Sequence, residues 1–126
     1  MSEIYESYED YLKAIYLIAK NNKGGWTCNS EISKFLKVKP SSVTNMLYNL
    51  ERNGFINWKP RKALRLTKKG KEIAQNTLKN YNCLSRFFRN VLKLKNNSIV
   101  EKLSCEIEHH LNPEVTNALE DLILKY

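Results

Sequence analysis

The sequence predicts a mainly α-helical protein carrying one small β-hairpin. Apolar residues recur at three-to-four spacing along most of the chain, two-residue alternation is confined to residues 55–67, and Gly54 and Pro60 punctuate that stretch. The 126 residues suffice for one ordinary domain, or for a small unit and an association unit sharing a core. A large enzyme is excluded on size.

The first helix is predicted over Tyr8 to Lys20, where Tyr8, Tyr11, Leu12, Ile15, Tyr16, Ile18 and Ala19 form one stripe and residues 21–25 end it. A second short helix runs from Asn29 or Ser30 through Leu36, with Ile32, Phe35 and Leu36 inward. Val38 and Lys39 make a tight turn. Pro40 suits a first helical turn because its missing N–H is not needed there, and the helix it opens reaches about Asn53, with Val43, Met46, Leu47 and Leu50 inward. Gly54 stops it. Residues 55–58 and 63–67 alternate around a basic, proline-containing tip and read as a hairpin. A long helix follows from about Lys68 to Leu92, then a polar break at 95–98. Ser98 can cap a helix to about Leu111, and Asn112-Pro113 opens a last one through Tyr126.

Helix, helix, turn, helix and basic hairpin is the order of a winged helix-turn-helix, in which the third helix enters the major groove and the hairpin meets phosphates. The expected division is a winged unit over 1–73 and a helical dimerisation unit over 74–126. The charge is concentrated accordingly. Between Lys34 and Lys71 eleven Lys and Arg stand against Glu51 alone, a local +10 within a chain of net +8. Such a surface either faces a polyanion or is a solvated basic face. The last helix carries Val115, Ala118, Leu119, Leu122 and Ile123 on one stripe, which can cover its own neighbour or a second copy; a shared homodimer core is the favoured reading, because two reading helices then reach half-sites about one DNA turn apart.

No apolar run is long enough to span a bilayer, and the acidic start lacks an export signal, so no membrane association and a cytoplasmic location are expected. Cys28, Cys83 and Cys105 include no Cys-x-x-Cys pair and argue against a disulfide framework or a zinc knuckle.

Four segments together resemble the diphtheria-toxin-repressor family of metal-dependent regulators, in particular its short branch with the manganese regulators. They are residues 9–16 (EDYLKAIY), 38–44 (VKPSSVT), 66–70 (LTKKG) and 105–110 (CEIEHH). The resemblance implies a repressor that binds operator DNA as a dimer and responds to a divalent transition metal held at the junction of its two units. The C-terminal barrel of the longer members has no counterpart before Tyr126.

On the third helix, Ser41, Ser42, Thr44, Asn45, Tyr48 and Asn49 turn away from the apolar stripe. Asn45 can pair bidentately with adenine, while the hydroxyls serve bases or phosphates. Arg52, Lys59, Arg61, Lys62 and Arg65 are cast as phosphate contacts, although an ordinary polar helix face would look similar.

Cys105, Glu108 and His109 stand at i, i+3 and i+4, one helical face offering thiolate, carboxylate and imidazole to a metal. Alone, such a string is commonly incidental. The resemblance adds Asp10 as a ligand from the first helix, but Lys13, Asn82 and Arg86 stand where relatives carry carboxylate, histidine and carboxylate. One ion per subunit, through Asp10, Cys105, Glu108 and His109, is therefore expected. A thiolate favours iron(II), with cobalt, nickel or zinc as alternatives and manganese disfavoured. The other readings are a regulator locked without metal by Lys13 or Arg86, and a thiol redox sensor. Neither a His-Glu-x-x-His string nor a phosphate-cradling glycine loop is present, so no enzyme and no small-molecule substrate are expected.

Overall fold

The reasons for the observed fold begin at α1 (Glu6–Ala19), whose Leu12, Ala14 and Ile15 are buried while Glu6 and Glu9 occupy the first turn, where the helix dipole favours carboxylates. The structure, a computed structural model, describes residues 5–59 and 62–126. The chain divides into two compact units, Met1–Gln75 and Asn76–Tyr126.

In the first unit a short 3-10 turn at Lys23–Gly25 leads to α2 (Asn29–Leu36) and α3 (Pro40–Arg52). Cys28 occupies the cap position of α2. Its thiol lies 3.3 Å from a Glu31 carboxylate oxygen, and Glu31 also accepts from Asn22 Nδ2 at 2.8 Å. The Asn22 hydrogen bond, with those from Cys28, holds the Glu31 carboxyl below its ordinary range against a smaller opposing effect of burial. Phe35, expected inward, is 50% exposed, because this two-turn helix buries fully only Ile32. Gly54 ends α3 with φ +77°, a conformation that favours glycine. Strands β1 (Ile56–Trp58) and β2 (Leu64–Leu66) pair antiparallel with Ile56 opposite Leu66 and Trp58 opposite Leu64. Thr27 exchanges both backbone hydrogen bonds with Leu64, adding a one-residue third rung. The strands are shorter than expected, and the Pro60–Arg61 tip lies outside the described residues.

Leu12, Ile15, Ile32, Val43, Leu47, Leu50, Phe55, Ile56, Leu64, Leu66 and Ala74 form the core of this unit. Full burial of each large side chain stabilises by about 1.5 to 3 kcal/mol, so the core fixes the pose of α3 and the hairpin. The segment Leu66 to Gly70 has a specific structural task. Thr67 donates its hydroxyl to Gly54 O at 2.7 Å and accepts from Gly70 N at 3.1 Å, which caps α4 (Lys68–Arg86) and ties it to the end of α3. A Cβ on Gly70 would collide with the Phe55 carbonyl. Gly70→Ala should therefore lower stability by about 1 to 3 kcal/mol, read as an earlier urea midpoint with unchanged slope. An unshifted midpoint would show that this approach is relaxed in solution.

In the second unit the long helix does not stay α-helical to Leu92. α4 ends at Arg86 and Phe87–Val91 form a π-helical turn, with Leu92 N bonded to Phe87 O and Lys93 at φ +59° closing it. Phe88 is buried in that turn beside Leu84 and Val100. α5 (Asn97–Ile107) is capped by Asn96, whose side chain accepts from Ile99 N, and not by Ser98. It also stops before Leu111: Glu108–His110 form a 3-10 turn. α6 (Pro113–Ile123) begins as expected, with the Asn112 side chain accepting from Val115 N at 2.9 Å.

Candidate nucleic-acid interface and metal centre

The turn between α2 and α3 is pinned by side chains. Lys37 takes the left-handed conformation that ends α2, Ser33 Oγ donates to Val38 O at 2.6 Å, and Asn29 Nδ2 donates to Thr44 Oγ1 at 2.9 Å. Thr44 in turn donates to Pro40 O. Its hydroxyl thus holds the two helices together, a use that its outward register alone did not reveal. Ser41, Ser42, Asn45, Tyr48 and Arg52 are exposed on α3, with Asn49 half-buried beside them. The Tyr48 ring meets Trp58 of β1 edge-on at 4.9 Å between centroids.

On the hairpin Lys59 and Lys62 are exposed, and Lys62 N–H donates to Lys59 O at 3.0 Å. Arg61 lies outside the described residues. Arg65, exposed opposite Asn57, places its guanidinium 4.7 Å above the Trp26 ring. Trp26 was missed from sequence: it precedes its cationic partner by most of the unit, and no periodicity links them. The stack pre-orients a guanidinium that would otherwise wander.

Of the predicted metal ligands, Glu108 and His109 are brought together in the 3-10 turn, His109 Nε2 lying 3.6 Å from Glu108 Oε1 with side chains 3% and 0% exposed. Burying a carboxylate is costly unless it is paired or coordinates a cation, so this pair fits the donor chemistry of a divalent transition metal. Cys105 is exposed on α5, and among the described residues the second unit alone gathers no third carboxylate, thiolate or imidazole at ligating range of the pair. Asp10 and Lys13 are half-buried on α1 of the first unit, while Asn82 and Arg86 are exposed on α4.

Two residues that support the turn were not anticipated. Asn80 Nδ2 donates to Glu108 O at 3.1 Å, and Asn80 Oδ1 lies 3.1 Å from the Thr116 hydroxyl. Cys83, buried, donates to Thr116 O at 3.8 Å; burial foremost, then Glu120, pushes its thiol upward and keeps it protonated, the wrong direction for a reactive thiolate. On α6 the apolar stripe splits. Leu119 and Ile123 pack inward, whereas Val115 and Leu122 are 42% and 37% exposed, with Ala118 exposed between them.

An exposed polar helix beside a basic hairpin in one unit, and a buried carboxylate–imidazole pair in a helical second unit, are the features that a metal-responsive transcriptional repressor would need. The chain belongs to the iron dependent repressor family: residues 3–64 match its N-terminal DNA binding domain and residues 67–125 its metal binding and dimerisation domain. It is 36% identical over 121 residues to an uncharacterized HTH-type transcriptional regulator of Methanocaldococcus jannaschii, covering 96% of this chain and 95% of that one. Its fold is that of the T. acidophilum IdeR (TM-score 0.73, 24% identity, 96% of this chain and 55% of that one). It is likewise that of the metal-dependent transcriptional regulator MtsR (TM-score 0.80, 22% identity, 92% and 53%). The chain spans about half the length of these two solved structures. Among the described residues no helix is long and apolar enough to cross a membrane.

Proposed function

We propose that the chain represses transcription as a cytoplasmic homodimer that grips operator DNA when each subunit holds one divalent transition metal ion, iron(II) in the first instance. The observation that carries this reading is the buried Glu108–His109 pair in a chain that also presents exposed Ser41, Ser42 and Asn45 within a stretch of local charge +10. Asp10, Cys105, Glu108 and His109 are the proposed ligands. When bound, the ion would be held by carboxylate, thiolate and imidazole donors. Carboxylate, thiolate and imidazole suit iron(II), cobalt(II), nickel(II) or zinc better than manganese. The chain's own residues read and anchor: Asn45 at a base edge, Ser41, Ser42 and Thr44 at bases or phosphates, Tyr48 and Asn49 on the same DNA-facing side, and Arg52, Lys59, Arg61 and Lys62 at phosphates. No residue is assigned a catalytic task.

The test is operator affinity against random DNA, with and without chelator. Two variants sharpen it. Lys62→Ala should weaken binding to every duplex and lower the salt slope by about one unit, since a phosphate contact carries no base information. Asn45→Ala should cost about 1 to 3 kcal/mol of discrimination at one base position and leave random-DNA binding unchanged. Equal losses on both duplexes would remove Asn45 from base reading.

A further inference from the structure

α5 stops at Ile107, Glu108–His110 form a 3-10 turn, and the chain leaves that turn at Leu111 in an extended conformation. The Glu108 carbonyl accepts from Asn80 Nδ2 at 3.1 Å. Asn80 is 5% exposed, and the other end of its amide meets the Thr116 hydroxyl, itself 3% exposed. That hydroxyl has one proton and two acceptors at 3.1 Å, Asn80 Oδ1 and Asn112 O. Bonded to Oδ1, it specifies which end of the planar amide faces Glu108, because the reversed amide would set two oxygens against each other. Adjacent residues of a regular helix point about 100° apart and do not face one another. Glu108 and His109 nevertheless meet at 3.6 Å, in a turn whose Glu108 carbonyl accepts from Asn80.

We propose that Asn80, oriented by Thr116, is a positioning residue for the metal-binding turn: its buried amide bonds the Glu108 carbonyl and holds Glu108 and His109 side by side. The inference rests on the metal reading above. Partners that orient ligands in this way are worth about ten- to a hundredfold in metal affinity when lost.

The experiment titrates cobalt(II) into the full chain, followed by its visible absorption, in wild type, Asn80→Asp, Asn80→Ala, Thr116→Val and Thr116→Ser. Amide hydrogen exchange on the metal-free proteins accompanies it. Both Asn80 variants and Thr116→Val should lose about ten- to a hundredfold in cobalt affinity at unchanged stoichiometry, with Thr116→Ser close to wild type. Exchange at His109 and His110 should quicken without a matching change through the rest of α5 and α6. Asn80→Asp keeps the size of the side chain and the acceptor for Thr116 but cannot donate to Glu108, so it separates orientation from packing. Wild-type cobalt affinity in the folded Asn80 variants, or exchange raised uniformly across the unit, would overturn the proposal. If the wild type takes up no cobalt, the metal reading falls by itself, and the exchange measurement still decides whether Asn80 holds the turn.

Discussion

Leu122→Asp should convert the protein to a folded monomer and lower operator affinity by about a hundredfold or more. The second binding event on a two-half-site operator gains its strength from being intramolecular, and that gain disappears with the dimer. The choice of residue matters. Leu119, an equally natural choice from the stripe alone, packs inward with Leu84, Phe88 and Val100, so an aspartate there would unfold the unit and report nothing about association. Leu122 and Val115 are exposed on the same side of α6, and a charge placed there meets solvent in a monomer and an apolar partner in a dimer. Light scattering read beside far-ultraviolet circular dichroism distinguishes the two results. A variant that remains a dimer with wild-type affinity would move the association surface off α6.

Removing divalent metal should weaken operator binding by about five- to 150-fold and leave random-DNA binding less affected, the usual range for coupling between two sites. Iron(II) or cobalt(II) should restore it. The coupling exists only if the ligands hold metal more tightly in the DNA-gripping arrangement than in the alternatives. Cys105→Ala is the informative variant. Glu108 and His109 are buried together whereas Cys105 is exposed, so replacing the proposed thiolate ligand leaves the core closed. Metal affinity and metal-stimulated binding should fall together, and the sulfur-to-cobalt charge-transfer absorption should vanish. Full operator affinity in chelator would favour a regulator locked by its own cations, and a cobalt complex lacking that absorption would remove Cys105 from the ligand set.

Much of the first unit was legible because its signals are local. Pro40 at a helix start, Gly54 at a helix stop and two alternating triplets each act through their own backbone, and the inward stripe of α3 follows from spacing. What was not legible depends on partners far along the chain. The helix expected to reach Leu111 ends at Ile107, and the turn that replaces its last stretch is held by Asn80, 28 residues from Glu108. The bond from Asn29 to the Thr44 hydroxyl could not be read from that residue's outward register. Arg65 owes its pose to Trp26. For the metal, the residue types were readable from the string at 105–109, but the contrast between a buried Glu108 and an exposed Cys105 required the 3-10 turn.

The edge-on contact between Tyr48 and Trp58 makes the proposed reading helix α3 and the hairpin mechanically interdependent. Redesigning operator preference through Tyr48 would not be a local edit. A smaller side chain there would remove the ring that the Trp58 indole meets on the hairpin, so mutations in the two elements should be epistatic. A homologous repressor could drift at either position only with compensation at the other, and grafting α3 onto another scaffold would transfer its specificity only if an aromatic hairpin partner came with it.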